Sequence, residues 1–115
     1  MSLREKQSVF AFRVSLLIAK AYELGYEVTL GDCYRDPRLH GAMGEKMGYG
    51  HSKSCHKVRL AIDLNLFKDG VYITNGDGHE ELGAWWKASH SSARWGGDFR
   101  IKDYNHYSFE HEGNM

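Results

Sequence analysis

His56 and Asp63 stand seven residues apart, and Asp103 and His106 three apart. Imidazoles and carboxylates bind divalent metals and move protons near neutral pH. The first pair lies in "SCHKVRLAIDLNLF", residues 54–67. Its alternating apolar residues read as a β-strand over 57–67. Val58, Leu60, Ile62, Leu64 and Leu66 share one face; Arg59, Ala61, Asp63, Asn65 and Phe67 share the other. By spacing alone, Asp63 is equally a solvent-facing residue. His56 shifts the balance, because imidazole and carboxylate are both ordinary zinc ligands. Two donors on one ion must approach within about 4 Å, whereas seven residues of straight strand span roughly 23 Å. The chain must therefore fold back before the strand begins. The glycine-containing approach "YGHSKSCH" allows such a bend.

A third ligand has to come from elsewhere, and "DYNHYSFEH" offers His106 and His111. A catalytic zinc takes three protein ligands and keeps one position open for water. It also benefits from a carboxylate that accepts the proton of the attacking water. His56, Asp63 and His106 as ligands, with Asp103 as base, meet those requirements. Cys55, next to His56, is a soft competitor for the ion. His40, His51, His79 and His90 read as surface loop or helix residues, and Arg38 as a solvated loop charge.

Several elements must position these groups. Ser2 and Glu5 fit a capping box, and Phe10, Val14, Leu17, Ala21 and Leu24 recur at helical spacing. Val9, Phe12 and Leu16 are expected to widen that stripe, and Gly25 to close the helix. "YEVTLGD" reads as a short strand with Tyr26, Val28 and Leu30 on one face. Residues 31–55 show little periodicity but carry Arg35, Arg38, His40 and His51, so they read as a working loop. Asp69-Gly70 is a hairpin signal, and "VYIT" the return strand. A short helix follows, with Leu82, Trp85 and Trp86 as its buried side; "ARWGGDF" breaks it. "DYNHYSFEH" is the last strand. The order implies one α+β domain over residues 1–115, with helices packed on a small, mainly antiparallel sheet.

Composition bounds the remaining possibilities. Hydrophobic residues make up 42% of the 115 residues and charged ones 26%, enough for a packed core. Formal net charge is zero, which argues against a broad basic face for nucleic acid. No apolar run approaches the roughly 18 residues needed to span a bilayer. The N-terminus lacks the layout of a secretory signal. Cys33 and Cys55 do not make a disulfide framework and read as free thiols.

"SCHKVRLAID" resembles the S-x-H-x-x-G-x-A-x-D motif of the D-alanyl-D-alanine carboxypeptidase and L-alanyl-D-glutamate endopeptidase family, zinc peptidases whose fold is shared with the hedgehog signalling domain. Ser54, His56, Ala61 and Asp63 match in register. "DYNH" is similar to the family's last motif, with Asp103 and His106 in place. "RWGGDF" looks like the aromatic-glycine segment upstream of it, and "CYRD" resembles the G-x-R region. The likeness runs from Gly31 to His111. It implies a hedgehog-like α+β fold with zinc in a groove, held by His56, Asp63 and His106. It further implies Asp103 as catalytic base, and Arg35 as the group that holds a substrate carboxylate or the developing oxyanion. Ser54 falls beside the substrate. Two positions depart from the pattern. Arg59 replaces a glycine, so the bend beside the metal must be made differently, and Ser108 stands where many members have glutamate.

The expectation is thus a zinc peptidase acting on the peptide stem of peptidoglycan, as a monomer, without nucleic acid or membrane as partner. A short chain without a leader resembles a phage endolysin, made in the host cytoplasm and reaching the wall after membrane permeabilisation. The rivals are a non-catalytic zinc-binding module of the same fold, a zinc amidase cutting between sugar and first alanine, and a scaffold without metal.

Overall fold

The first helix, α1 (Leu3–Glu23), begins where the capping pattern places it. The Ser2 hydroxyl accepts from the Glu5 amide, and the Glu5 carboxylate accepts from the Ser2 amide. Two backbone donors that the helix cannot satisfy itself are thereby paired. Gly25 follows at φ 93°, a left-handed conformation that costs glycine little, and the chain turns back. The computed structural model describes residues 1–34 and 55–115.

Among these residues the order continues with β1 (Glu27–Leu30), a 3₁₀ turn (Cys55–Val58), β2 (Ala61–Lys68), β3 (Val71–Tyr72), α2 (His79–Ser89), β4 (Ala93–Trp95), a second 3₁₀ turn (Gly96–Asp98) and β5 (His106–Phe109). The strands form one antiparallel sheet in the order β1-β2-β5-β4, with β3 also paired to β2. Phe67 pairs with Glu27 on one edge of β2 and Tyr72 on the other. The β2–β3 turn has Asp69 at φ 53° and Gly70 at φ 77°, the paired left-handed residues of a tight hairpin.

Helix α1 lays Phe10, Val14, Leu17 and Ala21 into the core. Phe10 meets Trp86 of α2 edge-on at 5.9 Å and Phe109 of β5 at 5.2 Å. Leu60, Leu64, Leu66, Leu82, Trp86, Tyr107 and Phe109 are fully buried around them. Each large apolar side chain removed from water contributes about 1.5–3 kcal/mol. The α+β architecture read from the sequence is therefore present.

Several boundaries differ from expectation. Phe12 and Leu16 lie on the exposed side of α1, and Leu30 is exposed at the end of β1. The long strand starts at Ala61 rather than residue 57, because Arg59 takes φ 56° and breaks the extended chain. "ARWGGDF" does not simply end a helix: α2 has stopped at Ser89, and Ala93–Trp95 form a strand paired with β5. The return strand is only Val71–Tyr72, and the last strand only His106–Phe109.

Candidate metal centre

The bend before β2 is built by the first 3₁₀ turn. The Leu60 amide donates to the Cys55 carbonyl at 2.9 Å and closes it. Arg59 then adopts the left-handed conformation that glycine favours, so an arginine makes the turn where the motif has glycine. Its guanidinium lies 3.9 Å from the Tyr34 ring centre, a cation–π contact that offsets part of the backbone cost. The result carries His56, fully buried, back beside the strand that follows it.

Asp63 and His106 meet by register. They are directly opposed across the β2–β5 ladder, which puts Cβ atoms about 4.5–5.5 Å apart on one face of a sheet. On its other edge Asp63 is paired through its main chain: its amide donates to the Asp32 carbonyl and its carbonyl accepts from Gly31, both at 2.8 Å. The far end of the site rests on Gly96. Its carbonyl accepts from the Asp103 amide at 2.9 Å, and the His106 amide donates to the Asp103 carbonyl at 3.1 Å. A Cβ on Gly96 would stand 2.1 Å from the Asp103 carbonyl oxygen, so only glycine allows this approach.

The side chains converge. His56 Nε2 lies 3.1 Å from Asp63 Oδ1, and His106 Nδ1 lies 3.7 Å from the same oxygen. One atom from each of the three residues falls within 4.8 Å of the others. A tetrahedral ion with bonds of about 2.0–2.2 Å sets its ligand atoms roughly 3.3–3.6 Å apart. Two imidazole nitrogens and one carboxylate oxygen gathered this closely could hold a metal ion. Burial by itself would raise the Asp63 pKa. The neighbouring His106 and His56 imidazoles, when protonated, outweigh it and hold the carboxyl well below the usual range. Asp63 therefore remains an anion ready to bind a cation.

Asp103 stands at the rim. Its Oδ2 is 3.9 Å from His106 Nδ1, and its side chain is 51% exposed, so it faces both the cluster and solvent. His111 lies outside the cluster, with Nε2 4.0 Å from Glu112 Oε1. Cys55 points elsewhere as well. Its thiol donates to the Asn114 carbonyl at 3.3 Å, and burial pushes its pKa up to about 11. Ser108 is fully buried and opposite Ala61. His79, expected at the surface, is buried instead, with Nδ1 2.6 Å from the Tyr107 hydroxyl. His90 stacks on Phe109 at 4.6 Å. Arg35, Arg38, His40, His51 and Ser54 lie outside the described residues. One contact escaped the sequence reading: His106 Nε2 is 2.8 Å from the main-chain oxygen of Met115. A backbone acceptor has no residue-type signature, so nothing in the sequence pointed to it.

No curated protein matches the chain in sequence. In fold it is similar to the L-Ala D-Glu endopeptidase ChiX of Serratia marcescens. The TM-score is 0.56 at 16% identity, over 82% of this chain and 75% of that one. Residues 48–109, more than half of the chain and inclusive of all four site residues described above, match the family profile described as D-alanyl-D-alanine carboxypeptidase. The chain belongs to the D-alanyl-D-alanine carboxypeptidase family.

Proposed function

We propose that this protein is a zinc-dependent peptidase that cleaves the peptide stem of bacterial peptidoglycan. The observation that carries the reading is the convergence of His56, Asp63 and His106 with Asp103 at the rim beside them. His56, Asp63 and His106 would hold a zinc ion, which when bound would supply Lewis acidity toward the scissile carbonyl. Asp103 takes the proton of the attacking water and delivers it to the leaving amine. Its exposure lets water and substrate reach it, while the neighbouring His106 is fixed in the ladder. Arg35 is assigned to a substrate carboxylate or the developing oxyanion, for which a guanidinium fork is suited. Ser54 is assigned a role in binding the substrate.

The presence of a carboxylate beside the three ligands favours an enzyme over a binding module, since a purely structural site needs no base. The family is named for the D-Ala–D-Ala bond and the structural neighbour for the L-Ala–D-Glu bond, and both lie within the proposal. The role in lysis is part of it too: the enzyme meets the wall from the cytoplasmic side, so permeabilised cells should lyse and intact ones should not.

The test is mass spectrometry of purified peptidoglycan incubated with the protein, with and without chelator. Chelator-sensitive release of peptide fragments supports the metallopeptidase, and their masses name the bond. Sugar strands stripped of whole stems would identify an amidase. Intact peptidoglycan after incubation with zinc-loaded protein would overturn the enzyme in favour of a binding module.

A further inference from the structure

Residues 110–115 have no place in the chemistry above, yet they are tied to the back of the site. His111 and Asn114 exchange two main-chain hydrogen bonds, at 2.8 and 2.9 Å. Between them Glu112 sits at φ 51° and Gly113 at φ 81°. Two successive left-handed residues make a two-residue turn of defined shape. That turn is anchored from several sides. The Glu110 amide donates to the Ser92 carbonyl at 2.8 Å, the Lys6 ammonium donates to the Glu110 carbonyl, and the Glu110 carboxylate accepts from the Gly113 amide. The buried Cys55 thiol, adjacent to His56, donates to the Asn114 carbonyl. The next main-chain oxygen, that of Met115, reaches His106 Nε2 at 2.8 Å.

We propose that this anchored turn is a positioning strap for the metal centre, with the Met115 main-chain oxygen locking the orientation and tautomer of His106. A main-chain oxygen only accepts, so Nε2 must carry the proton. The lone pair of the neutral ring is then at Nδ1, the nitrogen that faces Asp63 Oδ1 and Asp103 Oδ2 at 3.7 and 3.9 Å. An outer partner of this kind fixes a ligand histidine and raises its basicity, and its loss typically costs about 10–100-fold in metal affinity. The role rests on the metal reading of His56, Asp63 and His106.

Gly113 offers a clean probe. A Cβ there meets nothing within 4 Å, so a substitution acts through backbone conformation alone. Gly113→Val disfavours the left-handed turn, whereas Gly113→Asn tolerates it. Zinc affinity would be measured by competition with a chromophoric chelator. The His106 tautomer would be read by nitrogen-15 NMR of the metal-free protein at mildly alkaline pH, and thermal unfolding would report folding. The intact protein and Gly113→Asn should show the Nε2–H tautomer and equal zinc affinity. A folded Gly113→Val protein should show a tautomer mixture and about 10–100-fold weaker zinc. Protonation at Nδ1 in the intact protein overturns the strap whether or not the valine variant folds. So does unchanged zinc affinity in a folded Gly113→Val protein. Absence of zinc binding by an intact protein that does show the Nε2–H tautomer overturns the metal reading instead, and the strap's role falls with it.

Discussion

Three carboxylates and imidazoles at the centre are buried or half-buried, and the fourth group is not. Asp63 is held ionised between two histidines, whereas Asp103 sits half in solvent with His106 Nδ1 3.9 Å from it. The first arrangement suits a ligand and the second a proton carrier. Asp103→Asn preserves shape while removing the basic oxygen. It should leave zinc binding intact and lower turnover by about 10²–10⁴-fold, measured on purified peptidoglycan. A near-normal rate would remove Asp103 from the mechanism. His56→Ala deletes a fully buried ligand and should abolish both zinc binding and activity, read by metal content after dialysis. His79 makes a separate prediction about acid. Burial pushes its pKa down from 6.5 to about 4. Above 6.5 it is neutral in both folded and unfolded chains; as pH falls from 6.5 to 4 only the unfolded chain takes up the proton. Stability therefore declines across that window, by up to about 3 kcal/mol. His79→Gln removes the titration and can still bond the Tyr107 hydroxyl. Denaturant unfolding of the metal-free protein at pH 7 and 4.5 should show a smaller loss for the glutamine variant than for the parent.

Turns, more than strands, decide where the site residues go. The second 3₁₀ turn brings Gly96 against the Asp103 carbonyl with no room for a methyl group. Gly96→Ala must push Asp103 and His106 away together. A cost of about 1–3 kcal/mol and a marked fall in zinc affinity are expected, by thermal unfolding and chelator competition. Gly25→Ala supplies the contrast: φ 93° makes it strained, but nothing lies near its Cβ and the site is far along the chain. It should cost stability and leave zinc affinity unchanged. The same division explains what could be read beforehand. Capping, helical spacing and strand alternation are written in side-chain types, so α1, β2 and the Asp69-Gly70 turn were legible. His56, Asp63, Asp103 and His106 were legible for the same reason. The three-residue strand β4 is too short to show a period, and it hid inside a glycine-rich segment. Arg59 gave no sign that it would adopt a glycine-like conformation, which moved the start of β2. His79 has no neighbour in sequence that announces its buried bond to Tyr107. The Met115 contact depends on a main-chain atom and could not be seen at all.

Across the whole molecule, the three proposed ligands come from separate elements: the 3₁₀ turn before β2, β2 itself and β5. Only the folded sheet opposes Asp63 to His106, and only the bend at Arg59 returns His56 to them. An unfolded chain offers the same side chains at positions 56, 63 and 106 but no common centre. A zinc ion held by these three side chains would therefore bind the folded state in preference and stabilise it by mass action. At free zinc about 100 times its dissociation constant, the gain is about 2.7 kcal/mol. For a domain near this size each kcal/mol moves the midpoint by about 4–8 °C, so a rise on the order of 10–20 °C is expected. Calorimetry of the same sample with zinc, and again after chelation, would measure it. The rise should vanish in His56→Ala and persist in Asp103→Asn, since only the first loses a ligand. Equal midpoints with and without zinc in the parent protein would mean that the cluster does not hold the ion in the fold. A rise surviving in His56→Ala would place the ion elsewhere. The predicted pattern, stabilisation that follows the ligands and activity that also needs Asp103, separates holding the metal from using it.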